Sequence, residues 1–311
     1  MAEIDIKEIN DLARTSKGEL VRLGEEKYLD FINSTSERIL GDKNIKILLL
    51  AGPSGSGKTT TANLISDRIK SHGEESIVVS LDDFYLDFDS PAYPLCPDGT
   101  RDLESVSALD IPLLRETMLA IAGSREFSLP RYDFKVARRV EMRKHAPMPH
   151  GCVIIEGLHA LNPLIFSPLP SERCLKLFIS VSTNVCRDGE RIISGRKIRF
   201  LRRMIRDSIY RGADAERTLE LWRSVLVGED KYLYPNRVYA DISADTFHIF
   251  ELSVMRPFAE AKISDRLAAS DAYAAAVLSA VREVEPLDIS LVPDTSLIRE
   301  FIPGGKYESL Y

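Results

Sequence analysis

A glycine-rich segment, GPSGSGKTT at residues 52–60, follows directly after the apolar run ILLLA. It matches the pattern GxxxxGK(S/T), in which a strand precedes the loop and a helix follows it. The glycines let several backbone N–H groups point at phosphate, and the helix N-terminus adds partial positive charge. The segment therefore predicts a P-loop, with Lys58 on the β- and γ-phosphates and Thr59 as a ligand of Mg²⁺. The residues expected to contact the nucleotide are Gly52, Ser54, Gly55, Ser56, Gly57, Lys58, Thr59 and Thr60.

Strand-like and helical segments alternate beyond this loop. The strand-like runs are 45–51, 76–81, 151–157, 174–181 and 238–244. Such alternation predicts an α/β fold of the P-loop NTPase type, with a five-stranded parallel sheet and helices on both faces. Ligands of these sheets bind beyond the carboxyl ends of the strands. The residues that follow the first four strands should therefore face one crevice.

The periodicity of the chain predicts three regions. Residues 1–44 have helical spacing and no strand-like run, which indicates a helical N-terminal extension, with a mobile arm as the alternative. Residues 45–260 are expected to form the P-loop domain, with a lid at about 187–212. Residues 261–311 are expected to be a C-terminal helical extension packed on that domain.

The net charge and the spacing of the cysteines indicate which kinds of binding partner and location to expect. The net charge of −6 argues against a general nucleic-acid binder. The four cysteines have no metal-like spacing and are expected to be reduced thiols. The acidic N-terminus and the lack of an apolar run of roughly 18 residues lead us to expect neither a signal peptide nor a membrane span. We expect a cytoplasmic protein with a small-molecule acceptor and no membrane partner, whose terminal extensions offer surfaces for a homodimer.

Two acidic positions follow predicted strands and suit phosphoryl transfer to a hydroxyl. Successive side chains alternate in direction, so only one of Asp82 and Asp83 should face the crevice. The acid that faces the crevice would be the general base, and the choice between the two rests on the resemblance described below; the alternative is that both are solvated loop acids. Glu156 ends the run CVIIE and is expected to hold Mg²⁺ directly or through water.

The segment RKIRFLRRMIRDSIYRG concentrates positive charge. Arg199, either Arg202 or Arg203, and Arg206 recur at helical spacing and should share one face. Arginine stabilises charge on transferring phosphoryl oxygens well because its donors form a fork. The alternatives are a solvated face and an RNA-contacting face.

Five segments stand in order in the chain: GPSGSGKTT, LDDFY, RYDF, IIEGLHAL and RFLRRMIRDSIYRG. Together they resemble the uridine kinase branch of the phosphoribulokinase/uridine kinase family. Within that branch the chain is similar to nucleoside kinases whose kinase part follows a threonyl-tRNA-synthetase-like N-terminal half, which is missing here. The similarity runs from about residue 45 to about residue 305 and includes ELWRSVLVGEDKYLYP.

The resemblance implies ATP with Mg²⁺ as donor and a nucleoside 5′-hydroxyl as acceptor. It implies that Asp82 deprotonates this hydroxyl and that Asp102 binds the ribose hydroxyls. The other acceptor-binding residues it implies are Tyr85, Tyr132, Phe134, Arg139 and Arg199. In the lid pattern RxxRRxxRDxxxRG, it implies catalytic roles for Arg199 and Arg202 and nucleotide binding by Arg206, with Arg211 also matching.

One departure leaves the acceptor open. Uridine kinases continue YDFxxHxR with a histidine that contacts the pyrimidine, and Ala137 stands at that position here. A site that lacks such a hydrogen-bonding partner discriminates less. Pantothenate, glycerate or a sugar phosphate are alternative acceptors, and a non-catalytic ATP-binding protein is a further alternative. A regulatory GTPase is disfavoured because the sequence has no NKxD motif.

Overall fold

Ten strands in three sheets and ten α-helices make up the part of the chain that the computed structural model describes, residues 2–96 and 98–310. The strands are β1 (Glu3–Asp5), β2 (Ile47–Ala51), β3 (Ser76–Ser80), β4 (Phe127–Asp133), β5 (Arg138–His145), β6 (Cys152–Glu156), β7 (Cys174–Ser180), β8 (Asn184–Arg187), β9 (Glu190–Ile193) and β10 (Ile242–Asp245).

The helices surround the largest sheet. They are α1 (Ile6–Thr15), α2 (Lys17–Gly41), α3 (Lys58–Ser71), α4 (Ile111–Ala122), α5 (Pro163–Phe166), α6 (Gly195–Tyr210), α7 (Ala215–Gly228), α8 (Glu251–Lys262), α9 (Asp265–Ser270) and α10 (Ala272–Arg282). A short 3₁₀ turn, Leu81–Phe84, follows β3, and a π-helical turn, Glu229–Leu233, follows α7. Within residues 2–96 and 98–310, no helix is both long and apolar enough to cross a membrane.

The largest sheet has the order β10–β7–β2–β6–β3, and every neighbouring pair is parallel. Leu48 of the central strand β2 lies opposite Ile154 of β6 and Leu175 of β7. The predicted five-stranded parallel sheet is confirmed. The last strand begins at Ile242, later than the sequence indicates, because residues 234–239 form a 3₁₀ turn.

Strand β2 explains why this sheet needs helices on both faces. All five of its residues are buried. Leu48 and Leu50 belong to one core cluster, with residues of α2, α3, α6, α8 and α10. Ile47 and Leu49 belong to a second cluster, with residues of α4. The alternation of side chains along a strand therefore sends its apolar residues into two separate cores.

The N-terminal region is helical except at its beginning. Strand β1 pairs in parallel with β8, which in turn pairs with β9. The sequence analysis did not anticipate this strand, because three residues carry no periodic pattern and their partner lies far along the chain. Helix α2 packs on the helix that follows the P-loop, where the Tyr28 hydroxyl and Thr61 Oγ1 are 2.7 Å apart.

Two antiparallel hairpins were also not anticipated. Strands β4 and β5 pair with each other and carry the RYDF segment. Strand β5 reads RRVEMRKH, a charged sequence whose strand state depends on pairing more than on intrinsic preference. Ala137 lies at the tip with φ of +54°, and its carbonyl oxygen accepts the Phe88 N–H. The second hairpin, β8–β9, begins at Asn184 and extends into the region expected to be a lid.

The C-terminal segment returns to the P-loop. Leu297, Ile298, Phe301 and Ile302 are fully buried in the larger core cluster. The division of the chain at residues 44 and 260 stays a prediction.

Candidate active site

The P-loop backbone adopts conformations that require glycine at two positions. Gly55 has φ of +74° and Gly57 has φ of +88°. A Cβ at Gly55 would lie 2.6 Å from the Arg199 carbonyl oxygen, and one at Gly57 would lie 2.4 Å from the Leu297 side chain. Both positive φ and close neighbours therefore exclude a side chain at these positions.

Arg199, on α6, lies behind this loop and is fully buried. Its Nη1 donates to the Ser54 carbonyl oxygen at 2.8 Å. Nη1 and Nη2 also donate to the two carboxylate oxygens of Glu229, each at 2.8 Å. Glu229 Oε1 accepts the Ser54 N–H at 2.9 Å. Arg199 and Glu229 together bind both backbone polar groups of one P-loop residue.

Arg202 makes a second contact of this kind. It is fully buried and donates to the Glu251 carboxylate at 2.6 and 3.0 Å and to the Gly55 carbonyl oxygen at 3.2 Å. The Thr246 hydroxyl adds a 2.8 Å bond to the Ser56 carbonyl oxygen. Both arginines thus contact the back of the loop, and neither faces the open cleft, where the sequence analysis expects a phosphoryl ligand.

Arg206 and Thr60 lie beside a carboxylate from the C-terminal segment. Glu300 is buried and accepts the Thr60 N–H at 3.2 Å and the Thr60 hydroxyl at 3.0 Å. Arg206 donates to Asp207 at 2.8 and 2.9 Å, and its Nη1 is 3.9 Å from Glu300. These two predicted nucleotide ligands are therefore in contact with acidic side chains of the protein.

The two acids of LDDFY point in different directions. Asp83 Oδ1 accepts the Tyr132 N–H at 3.1 Å, so Asp83 faces the β4–β5 hairpin. Asp82 is exposed, and its charge interacts with Lys58 and Arg211. Desolvation raises the pKa of Asp82, and Lys58 opposes this shift. The side chain of Asp82 is open to solvent, so the rise in its pKa comes from the protein atoms that surround the carboxylate on its other sides. Asp82 and the P-loop lysine therefore lie close enough for their charges to interact, and we call the region between them the cleft.

Glu156 ends β6 beneath the same cleft and is buried. Burial raises its pKa to about 7, the charge of Asp82 adds to this, and Lys58 opposes it. The Ser80 hydroxyl, at the end of the neighbouring strand β3, donates to its carboxylate. The carboxyl ends of β3 and β6 and the P-loop thus bring Glu156, Asp82 and Lys58 together.

The oxygen donors at this point suit Mg²⁺. Thr59 and Glu156 offer a hydroxyl and a carboxylate, the hard ligands that this ion prefers. Among the residues that the structure describes, no group of three or more His, Cys, Asp or Glu could hold a metal ion by itself. Mg²⁺ is commonly bound by one or two carboxylates together with water and substrate phosphates, so this sparse donor set fits it.

Residues 98–105 lie beside this site, where Glu104 interacts electrostatically with Asp82. We call them the acceptor loop, after the role predicted for Asp102. Its Asp102 accepts a 2.7 Å hydrogen bond from the Tyr232 hydroxyl, and Lys231 Nζ is 3.9 Å away. His159 Nε2 is 3.0 Å from the Glu104 carbonyl oxygen. Burial lowers the pKa of His159 to about 4, so this imidazole is neutral near pH 7. The loop is held by side chains from two other segments.

An aromatic group stands next to this loop. The ring centroids of Tyr85, Tyr132 and Phe134 lie 5.0 to 6.2 Å apart. Phe134 is 65% exposed, so its ring is available to a ligand, whereas Tyr132 is buried. Arg139, which was expected to bind the acceptor, donates from Nη2 to Asp110 at 2.8 Å, so its guanidinium group already has a partner within the protein.

The sequence indicates Arg203 only as an alternative to Arg202, and it does not single out Glu104, Glu229 or Tyr232. Arg203 Nη1 donates to the Ser54 hydroxyl at 3.0 Å and interacts electrostatically with Glu104. Burial raises the pKa of Glu104, whose side chain packs against Gly228. Glu229 and Tyr232 belong to the segment GEDKYLYP. The acidic and aromatic residues that cluster in this segment are the sequence feature that could have indicated a site there.

The comparisons with known proteins agree with one another on the family. Residues 47–249 match the model of the phosphoribulokinase/uridine kinase family. The uridine kinase of Lactobacillus johnsonii is 28% identical over 197 residues, which is 63% of this chain and 84% of that protein. The uridine kinase of Halobacterium salinarum is 27% identical over 195 residues, 62% of this chain and 76% of that protein.

Solved structures with lower similarity include a possible uridine kinase from Bacillus stearothermophilus. It is 17% identical, covers 70% of this chain and 100% of its own, and has a TM-score of 0.44. The family model alone covers well over half of the chain. The chain belongs to the phosphoribulokinase/uridine kinase family and is a kinase with an alcohol group as phosphoryl acceptor.

Proposed function

We propose that this protein transfers the γ-phosphoryl group of ATP, bound with Mg²⁺, to the 5′-hydroxyl of a nucleoside. The observation that carries the proposal is the divergence of Asp82 and Asp83. Asp82 shares the cleft with Lys58, whereas Asp83 binds the Tyr132 N–H. A carboxylate beside the P-loop lysine suits a general base that works on a bound hydroxyl.

The proposed reaction is a direct displacement. Asp82 accepts the hydroxyl proton as the acceptor oxygen forms a bond to the γ-phosphorus. The bond from the γ-phosphorus to the bridging oxygen breaks, and ADP leaves. Lys58 compensates the charge that develops on the phosphates. Thr59 and Glu156 would hold Mg²⁺, which supplies further charge compensation on the β- and γ-oxygens when bound.

Charge on the acceptor side favours an uncharged acceptor. Glu104 interacts electrostatically with both Asp82 and Asp102, so three carboxylates lie near the proposed acceptor position. Among the cations beside them, Lys231 Nζ lies 3.9 Å from Asp102, and Arg203 is bonded to Asp207 and to the Ser54 hydroxyl. A pantothenate, glycerate or sugar phosphate anion would meet like charge there. A nucleoside carries no charge, and two hydroxyls could donate to Asp102.

The aromatic residues and the relatives support a nucleoside in particular. A flat base could stack on the exposed ring of Phe134, and the relatives described above carry the name uridine kinase. Because Ala137 replaces the histidine of the family motif, we propose a broader base preference than that of a pyrimidine-specific enzyme.

The buried arginines receive a different role in this proposal. Arg199 and Arg202 would keep the P-loop in its phosphate-binding shape, because their guanidinium groups are bonded to loop carbonyl oxygens. Arg203 and Arg211, which lie nearer the cleft, are better placed to meet the transferred phosphoryl group. A cytoplasmic location and a homodimer stay predictions.

The test is a phosphorylation assay with ATP, Mg²⁺ and a panel of uridine, cytidine, adenosine, guanosine, pantothenate, glycerate and ribulose 5-phosphate. We expect turnover of one or more nucleosides and none of the acids. Asp82→Asn should lower kcat by about 10²- to 10⁴-fold, as loss of a general base does. Asp83→Asn, its matched control, should retain most of the activity. Turnover of an acid alone, or an active Asp82→Asn variant, would overturn the proposal.

A further inference from the structure

The π-helical turn Glu229–Leu233 contacts both sides of the cleft. At its first residue, Glu229 accepts the Ser54 N–H of the P-loop at 2.9 Å. Three residues later, the Tyr232 hydroxyl donates to Asp102 of the acceptor loop at 2.7 Å. A single helical turn therefore joins the donor site to the acceptor site through two direct hydrogen bonds.

The donor end of the turn is rigid. Glu229 is fully buried, and both of its oxygens are bonded to Arg199. Arg199 in turn donates to the carbonyl oxygen of Ser54. A displacement of Glu229 would therefore move both the N–H and the carbonyl of a residue in the phosphate cradle.

The turn and the residue before it both contact the acceptor loop. Besides the Tyr232 bond, Gly228, the residue just before the turn, packs closely under Glu104. A Cβ at Gly228 would lie 2.9 Å from the Glu104 Cγ. The glycine thus lets the loop approach the end of α7, and Tyr232 fixes the position of the Asp102 carboxylate.

The form of the turn is itself unusual. The Tyr234 N–H donates to the Glu229 carbonyl oxygen, a bond between residues five apart. Such turns are rare and often occur at functional sites. Leu233 is buried in the core cluster below the cleft, which fixes the end of the turn. The turn can transmit a displacement because packing and hydrogen bonds hold it at both ends.

We propose that Glu229 and Tyr232 are positioning residues that couple nucleotide binding to the order of the acceptor loop. Nucleotide in the P-loop fixes Ser54, Glu229 and the turn, and Tyr232 then holds Asp102 in its ligand-binding position. The coupling itself does not depend on which acceptor is used. The choice of uridine in the second of the two experiments below rests on the proposed function.

The first experiment needs no acceptor. Hydrogen–deuterium exchange of residues 98–105 is measured with and without Mg²⁺ and the β,γ-imido analogue of ATP. In the wild type, we expect the analogue to slow exchange of this loop by roughly fivefold, as local opening becomes less favourable. In Tyr232→Phe the effect should vanish while the analogue still binds. Tyr239→Phe, a change of the same kind at an exposed tyrosine, should behave as the wild type. Equal protection in wild type and Tyr232→Phe, or none in the wild type, would overturn the coupling.

The second experiment uses uridine as acceptor. Loss of a hydrogen bond to a charged group should raise the KM for uridine about 10-fold in Tyr232→Phe. The KM for ATP should stay within about twofold, and the melting temperature should fall by no more than a few degrees, because only one part-buried hydrogen bond is lost. An unchanged KM for uridine would count against the role of Tyr232. If the wild type phosphorylates no nucleoside, the proposed function fails, and the exchange experiment still decides the coupling.

Glu229→Gln serves as a second variant at the donor end. It keeps the shape of the side chain but leaves the buried Arg199 charge without its partner, so it can lower stability as well as nucleotide affinity. For this reason Tyr232→Phe, at the solvent-accessible end of the turn, is the decisive variant.

Discussion

Arg199 and Glu229 form a two-point ion pair, with both nitrogen–oxygen distances 2.8 Å and neither side chain exposed to solvent. The pair lies directly behind Ser54 of the P-loop and binds its backbone on both sides. Buried charges of this kind are strongly destabilising when one partner is removed. The shape of the phosphate cradle therefore depends on residues that no phosphate touches.

Arg199→Lys is expected to damage this arrangement although it keeps the charge. Lysine cannot donate in parallel to two carboxylate oxygens and also reach the Ser54 carbonyl oxygen. We expect a loss of about 2–4 kcal/mol in the free energy of unfolding, measured with urea. Arg217→Lys, in an exposed pair with Glu220, is the control and should show no measurable change. Equal stability of the two variants would contradict the prediction.

Gly57→Ala should abolish nucleotide binding, because φ is +88° and the added methyl group would meet Leu297 at 2.4 Å. Gly73→Ala separates the two causes, since its φ is +81° but nothing lies within 4 Å. That control should lose about 1 kcal/mol of stability from backbone strain alone and bind nucleotide normally. Calorimetric titration with the ATP analogue, together with urea unfolding, measures both effects. Normal binding by Gly57→Ala would disprove the close fit.

Stability should depend on pH through Glu156. Burial raises its pKa to about 7 in the folded protein, well above the value of about 4.3 expected in the unfolded chain. Such a carboxyl stabilises the folded state below about pH 4, and this contribution is lost as the pH rises through 7. Between pH 5 and 8, without Mg²⁺, the wild type should therefore lose about 2–3 kcal/mol relative to Glu156→Gln.

Urea unfolding of both proteins across this pH range tests the effect of Glu156. Glu25, whose pKa burial also raises to about 7, is present in both proteins and cancels in the comparison. Parallel stability curves for wild type and variant would show that Glu156 is ionised throughout.

Glu300→Gln is expected to strengthen nucleotide binding. Its carboxylate accepts the Thr60 N–H and hydroxyl at the start of α3, where phosphates bind in P-loop proteins. Glutamine can still accept these bonds but removes a negative charge from the neighbourhood of the triphosphate. We expect the Kd of the ATP analogue to fall about 3- to 10-fold. Glu285→Gln, an exposed acid bonded to Arg14, should leave the Kd unchanged. A rise in the Kd of Glu300→Gln would show that the carboxylate supports binding.

Much of the fold could be predicted because its signals are local. The run ILLLA, followed by a glycine-rich loop and a helix, indicates a P-loop by itself, and the alternation of strands and helices indicates the parallel sheet. The β4–β5 hairpin was missed because the strand RRVEMRKH is charged and exposed. Its strand conformation comes from pairing with β4, and pairing leaves no periodic pattern in such a sequence.

The sequence by itself determined which residue types stand at the strand ends: Lys58, the two acids of LDDFY and Glu156. Only the tertiary structure decided that Asp82, and not Asp83, faces the cleft. It also decided that Arg199 and Arg202 point to carboxylates 30 and 49 residues away and not to the open cleft. Helical spacing shows which arginines share a face, but what that face packs against depends on distant segments, and burial of a charge requires a partner there.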